Sequence, residues 1–313
     1  MDILITGIHG FVGSNLVCSL KKCHTIYGVD IVFPDKDGVK KTFSWNELAE
    51  VEGMDAIVHL AGMAHDMKNE VNREEYFEVN VDLTKRVFDY FLNSDAKKFI
   101  FFSSVKAAAD RVNGDVLTED VVPHPVGPYG ESKIAAEKYI QGRMSECEEK
   151  GKFVYIIRPC MIHGPGNKGN LNLLYNIVKK GFPWPLGAFE NKRSFVSVDN
   201  VCFVVEKLIE KRICSGIYHL ADDEVLPTNE LVRLIGEVLG KKVRIWHVNQ
   251  NIMKGCARVG TWFGLPLNNE RLRKLTENYV VSNRKIKTVL GIEKMPVNAE
   301  EGMRRTIRSF INE

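Results

Sequence analysis

Net charge is almost absent from this chain: 43 Lys and Arg stand against 40 Asp and Glu over 313 residues, a formal charge of +3. Without clustered cations there is no electrostatic footprint for nucleic acid, which calls for a basic stripe or patch. The seven cysteines, Cys18, Cys23, Cys147, Cys160, Cys202, Cys214 and Cys256, form no CxxC pair and have no His partner at zinc spacing. That argues against a disulfide framework and against a structural metal site. Reduced thiols and a cytoplasmic location are expected. No apolar run is long enough to span a bilayer, and Met1-Asp2 opens without a basic region or cleavage-site pattern. No membrane partner is expected on that basis. Internal repeats, low-complexity tracts and Pro/Ser linkers are also missing. What is present, 44% hydrophobic and 27% charged residues, suits a globular chain with a sizeable core.

Short β-branched runs alternate with longer amphipathic segments in the first half. Residues 2–6 (DILIT), 25–29 (TIYGV), 56–60 (AIVHL), 98–102 (KFIFF) and 153–157 (FVYII) read as buried strands. Helices are expected over 13–21, 76–92 and 129–149, and a weak further strand around 40–44. Strands separated by helical segments imply βαβ crossovers, hence an α/β fold with a doubly wound parallel sheet and helices on both faces. After Pro159 the texture changes, with Gly164-Pro165-Gly166, Gly169, Gly181, Pro183, Pro185 and Gly187 close together. A smaller mixed α/β lobe is expected there, ending in a helix near 299–311. The first domain is placed at 1–164, with 192–220 returning to it, and the second lobe mainly at 165–313.

Between the first strand and the first helix lie Gly7, Gly10 and Gly13, at G-x-x-G-x-x-G spacing. Such glycines permit a tight turn, close backbone approach to a pyrophosphate and close helix–sheet packing, with free N–H groups at the helix start, including those of Phe11 and Val12. A glycine-rich turn without a ligand is the competing reading, but the strand–turn–helix context favours a dinucleotide. Asp30 ends the second strand, where a carboxylate accepts ribose hydroxyls and repels a 2′-phosphate, so NAD is favoured over NADP.

Tyr129-Gly130-Glu131-Ser132-Lys133 is a YxxxK motif, and residues four apart share a helical face. A phenol with an ordinary pKa near 10 is a poor base, and a neighbouring cation brings it toward useful range. YxxxK alone is common, and a serine pair at a strand end, here Ser103-Ser104 after 98–102, is ordinarily turn chemistry. Together, downstream of the glycine turn, they form one constellation.

The glycine spacing, YxxxK and Ser103-Ser104 resemble the extended short-chain dehydrogenases, the NAD-dependent epimerase/dehydratase family. The resemblance implies a Rossmann fold, NAD, and a nucleotide-sugar substrate carried on UDP. It assigns Tyr129 as acid/base, Ser104 to the reacting sugar oxygen, Lys133 to the nicotinamide ribose, and Ser103 to a neighbouring cofactor-side position. His59-Leu60-Ala61-Gly62 is similar to the H-x-A-[AG] stretch whose backbone lines the cofactor, and Asn80 to a helix Asn that stabilises the sheet. Arg158-Pro159 with His163-Gly164-Pro165-Gly166 resembles the segment beside the nicotinamide carboxamide. Asn170-Leu171 resembles the cover of the diphosphate, and Arg193, in RSFVSVD, its arginine contact. Relatives also pair two long helices as homodimers, which would place Val81, Val87, Phe88 and Phe91 in an interface, unless those side chains face the protomer's own sheet.

Departures narrow the resemblance. The weak third strand lacks Gly-Asp-[IL], Met161 stands where many epimerases carry Asn, and V-Y-G is missing after the serines. Asn170 is the expected substitute for the missing Asn. Dehydratases of this kind carry an Asp-Glu pair beside the Ser/Thr; here Val105 and Lys106 stand there, so elimination of water is disfavoured. The branch most resembled holds UDP-sugar 4-epimerases and 4-keto-reductases of surface-polysaccharide synthesis. Epimerisation is the leading expectation, reduction the alternative, and a non-catalytic NAD(H)-binding protein the remote one.

Overall fold

A computed structural model describes residues 1–63, 72–167, 169–265 and 267–312. Its first half runs β1 (Asp2–Thr6), α1 (Phe11–Leu20), β2 (Thr25–Val29), β3 (Val39–Phe43), a 3-10 turn (Trp45–Glu50) and β4 (Ala56–His59). Then come α2 (Arg73–Phe77), a π-helical turn (Glu78–Asp82), α3 (Leu83–Asn93), β5 (Lys98–Phe102), α4 (Val105–Ala108), α5 (Gly127–Gln141), α6 (Met144–Glu149) and β6 (Phe153–Pro159). The second half holds β7 (Met161–His163), α7 (Asn170–Lys179), β8 (Phe195–Ser197), α8 (Val198–Glu210) and β9 (Gly216–Leu220). It ends with α9 (Thr228–Val238), α10 (Gln250–Trp262), α11 (Asn269–Thr276), α12 (Arg284–Leu290) and α13 (Ala299–Asn312).

Seven strands form one parallel sheet in the order β3-β2-β1-β4-β5-β6-β9. Every residue of β4 and β5 is buried, as expected when helices cover both faces. Alternate side chains go to opposite faces even inside these continuous apolar runs. Ile3, Ile5, Val58, Ile100 and Ile157 join one core, whereas Leu4, Ile57, Phe99, Phe101 and Ile156 join the other. The strand order reverses at β1, which has β2 on one side and β4 on the other, and this switch point opens a crevice at the carboxyl ends of the strands.

The doubly wound expectation stands, and the helix bounds are revised. The first helix starts at Phe11 because Gly10 is its cap. The expected helix over 76–92 starts at Arg73, where Asn72 caps it by accepting the Glu75 N–H, and it is interrupted by the π turn. The expected helix over 129–149 breaks after Gln141 at Gly142 and resumes at Met144. Val87, Phe88 and Phe91 lie in one core with Phe99 of β5, and Val81 is buried too. These four side chains are therefore turned inward and are not an intermolecular face, which corrects the basis given for a homodimer.

A third core lies in the second half, around Leu171, Trp184, Leu231, Met253 and Ile307. A buried polar knot ties this half to the sheet. Just past β9, the Asp222 carboxylate accepts the Ser197 N–H (3.1 Å) and the Asn200 Nδ2–H (2.7 Å). Asn200 also donates to Val297 O and accepts the Val297 N–H. His163 of β7 meets Thr306 of α13 through Nδ1, 2.9 Å from Oγ1.

Candidate active site

The glycine turn is a cradle that side chains would fill. Gly7 has φ +70°, and a Cβ there would sit 2.9 Å from the Ala61 nitrogen. A Cβ on Gly10 would lie 3.1 Å from the Gly7 carbonyl oxygen, and one on Gly13 only 2.4 Å from it. Gly10 caps α1 without a side chain, so the first-turn N–H groups from Phe11 onward face the crevice with no acceptor from the cap. Phe11 and Val12 pack partly on the core below. The 164–166 segment is pressed against this turn: Asn15 Nδ2 donates to the Pro165 carbonyl (3.1 Å), and a Cβ on Gly164 would approach the Phe11 ring to 3.5 Å.

Asp30 lies at the end of β2, its carboxylate accepting the His9 N–H (2.9 Å) and its neighbour Ile31 N–H (2.7 Å). Beside it is Lys36, whose ammonium donates to the Ile8 carbonyl (3.1 Å) and to Ser14 Oγ (2.6 Å), across the same turn. Burial lowers this lysine's pKa and the Asp30 charge raises it. Sequence reasoning missed Lys36, because nothing in Pro34-Asp35-Lys36-Asp37-Gly38 signals that the loop folds back over the glycines.

The backbone leaving β4 connects this turn to the reactive side chains. Leu60 N–H bonds the Thr6 carbonyl (3.2 Å), and Ala61 N–H bonds Thr6 Oγ1 (3.2 Å). A Cβ on Gly62 would meet Asn80 Oδ1 at 2.8 Å and the Lys133 ammonium at 3.0 Å. Asn80 itself accepts the Met63 N–H and donates to Ser132 Oγ, so it fastens this segment to α5. His59 is spent beneath it on Thr6 (2.7 Å) and Thr84 (2.9 Å), and burial drives its pKa down to about 3. It is a neutral core histidine.

Ser104 follows β5 and caps α4, its Oγ accepting the Lys106 N–H (3.2 Å). Burial raises the pKa of the Tyr129 phenol, and the neighbouring Ser104 side chain pulls it back in part. Tyr76 stacks edge-on to Tyr129 at 6.3 Å. The approach of α5 to α4 depends on Gly130, where a Cβ would lie 2.6 Å from the Lys106 carbonyl oxygen. One turn on, buried Lys133 donates to the Phe102 carbonyl (3.0 Å), and desolvation brings its pKa down to about 8. Pro159 ends β6, paired in register with Leu220.

A further buried carboxylate was not anticipated. Glu137, one more turn along the same face of α5, accepts the Ser103 hydroxyl and a two-pronged contact from Arg158 (2.9 and 2.5 Å). Arg158 is thus fully buried against this carboxylate. Its spacing from Tyr129 and Lys133 was the available signal for Glu137.

Of the expected substrate contacts, Leu171 has its side chain in the second-lobe core, leaving only its backbone for a ligand. Asn170 opens α7, but its side chain lies outside the described residues. Arg193 donates to the Lys274 carbonyl, and burial lowers its pKa while the Glu277 charge raises it. Near it, Lys106 is held by Asp110 (3.2 Å) and lies over the Tyr279 ring, and Arg273 reaches the same Asp110 (2.8 Å). These five charged side chains form a seat between the lobes. Among the described residues no His, Cys, Asp or Glu group is placed to hold a metal ion.

A dinucleotide cradle leading along one crevice to a Ser–Tyr–Lys set defines a Rossmann-type oxidoreductive enzyme. The chain belongs to the NAD dependent epimerase/dehydratase family, whose model matches residues 3–221. It is 31% identical to a UDP-glucose 4-epimerase of Vibrio cholerae, over 99% of this chain and 95% of that one. It is 24% identical to a GDP-6-deoxy-D-mannose reductase of Pseudomonas aeruginosa, over 78% and 82%. Among solved structures, MoeE5 in complex with UDP-glucose and NAD superimposes with a TM-score of 0.78 at 20% identity, over 100% of this chain and 99% of that one. The chain is thus an NAD-dependent sugar epimerase or reductase by family, with NAD as cofactor.

Proposed function

We propose that the protein is a UDP-sugar 4-epimerase, acting on a UDP-hexose or UDP-N-acetylhexosamine. The observation that carries the reading is the placement of the Tyr129 phenol next to the Ser104 side chain, one helical turn from the buried Lys133 ammonium and continuous with the glycine cradle. Bound NAD supplies a hydride acceptor that can return what it takes. Tyr129 moves the proton of the sugar C4 hydroxyl, and Ser104 holds that oxygen. Lys133 holds the ribose next to the reacting ring. The cradle fits a pyrophosphate, since the backbone there is open only because three side chains are absent. We assign nucleotide binding to 1–164 and 192–220, and the sugar diphosphate mainly to the rest, with Arg193, Leu171 and Asn170 on its side.

Lys106 stands beside Ser104 with its ammonium engaged by Asp110, so no acid–base pair flanks the serine for eliminating water. The likeness to a sugar reductase keeps one-way reduction of a UDP-4-keto-sugar as the second reading. The two separate on the fate of the hydride. With UDP-glucose or UDP-GlcNAc, an epimerase interconverts the C4 epimers while absorbance at the reduced-nicotinamide band stays flat. Stoichiometric loss of NADH with a UDP-4-keto-6-deoxyhexosamine, and no epimer formation, overturns the proposal in favour of the reductase.

A further inference from the structure

The helical hairpin α10–α11 carries an apolar surface that the protein does not bury. Helix α10 turns Met253, Ala257 and Gly260 inward, at the spacing of one helix face. A second stripe, Ile252, Cys256, Val259 and Phe263, recurs at the same spacing and lies entirely in solvent. At its end Trp262 is 89% exposed, Phe263 70% and Leu265 49%. The tip is built tightly: Gly264 takes φ +64°, Leu265 N–H bonds the Gly260 carbonyl (2.8 Å), and a Cβ on Gly260 would collide with the Leu267 carbonyl at 1.8 Å. The aromatic pair is therefore presented by a closed turn. Along α10 itself the charge is one-sided, with Lys254 and Arg258 on the turns before Trp262, and the first acid beyond the tip is Glu270 of α11. From Lys241 to Leu265 the chain has Lys241, Lys242, Arg244, Lys254 and Arg258 and no Asp or Glu, in a protein balanced overall at 43 against 40.

We propose that this hairpin docks the protein on an anionic phospholipid surface, with Trp262, Phe263 and Leu265 at the headgroup–acyl boundary and the lysines and arginines toward the headgroups. Aromatic side chains favour that boundary, and cations near it are attracted by anionic lipid. A second copy of this chain fits less well. An isologous contact along α10, which has no Asp or Glu, would set Lys254 and Arg258 against their own like charges. The expectation of no membrane partner rested on spanning segments, and none is present among the described residues. A surface-lying hairpin leaves no such trace in hydropathy.

The test is co-sedimentation of the full chain with vesicles of phosphatidylglycerol and phosphatidylethanolamine, against vesicles of phosphatidylcholine alone. Binding to the anionic vesicles is expected, weakening as salt rises. The double variant Trp262→Ala/Phe263→Ala should reduce it roughly tenfold or more, with an unchanged thermal transition, since two largely exposed aromatics are removed. Lys254→Glu/Arg258→Glu should reduce it as well. Absence of binding, equal binding to phosphatidylcholine, or variants that sediment like the parent overturns the proposal. So does sedimentation velocity showing a parent dimer that the aromatic double variant turns into a monomer, which would make the ridge a subunit contact.

Discussion

Between Gly7 and Gly13 the protein leaves a cradle of bare backbone, whereas between Lys106 and Glu277 it gathers charged side chains far apart in sequence. The turn has its geometry set by what is missing: three Cβ atoms and one helix cap. The seat has its geometry set by mutual restraint, with Asp110 shared by Lys106 and Arg273, and Arg193 tied to the Lys274 carbonyl. The first is preorganised and intolerant of change. The second holds three cations against two carboxylates, so the loss of one contact is cushioned by the rest. The proposed reactive pair, Tyr129 with Ser104, sits where the two regions meet.

That junction is where the largest effect is expected. Tyr129→Phe should lower turnover by on the order of 10²–10⁴ while NAD affinity measured by calorimetry stays near that of the parent. A variant that turns over at close to the parent rate would remove Tyr129 from proton transfer and with it the junction. Acid probes the sheet that carries them. His59 lies under the glycine turn and His219 on the outer strand β9, and burial depresses their pKa values to about 3 and about 4. Both must gain a proton on unfolding below pH 6.5, so their stabilisation is complete above that pH and declines as pH falls toward 4. At pH 5 the two together should have lost about 4 kcal/mol relative to neutral pH. Denaturant midpoints across that range measure it, and a flat profile contradicts the neutral burial described here.

Smaller effects separate the cradle from the seat. Gly13→Ala puts a methyl group 2.4 Å from the Gly7 carbonyl, a strain of about 1–3 kcal/mol that should appear as weakened NAD binding. Arg193→Ala should leave NAD binding alone and raise the KM for a UDP-sugar roughly tenfold at unchanged kcat, as for loss of one charge-assisted contact. An unchanged KM would detach Arg193 from the diphosphate and reduce the seat to an interlobe brace.

The same contrast decides what could be read from the sequence. Strands covered on both faces are written as continuous apolar runs, so β1, β2, β4 and β5 were visible within a residue of their bounds. The glycine spacing and the YxxxK face are local patterns and were visible too. The seat was not, because Arg193 finds its acceptor 81 residues away and Arg273 reaches back 163 to Asp110. Lys36 is only 22 residues from Ser14, yet its loop has no periodicity to betray the fold-back. Helix interruptions at the π turn and at Gly142 were hidden because the amphipathic pattern continues through them. Val87, Phe88 and Phe91 marked a buried face in either reading, and only the structure says which surface buries them.

The knot around Asp222 has a consequence for how the chain comes off the ribosome. β6 has one edge unpaired until β9 emerges, and His163 awaits a partner 143 residues further on. At ordinary elongation rates that gap is roughly 7 to 30 seconds, long compared with the folding of a small domain. The bare strand edge lasts only until β9 (Gly216–Leu220) emerges, and the histidine stays without its buried bond until Thr306 follows. The final helix closes both lobes in one late step, so a chain that stops short of Thr306 is an unfinished protein rather than a trimmed one, and a natural client for chaperones or proteases.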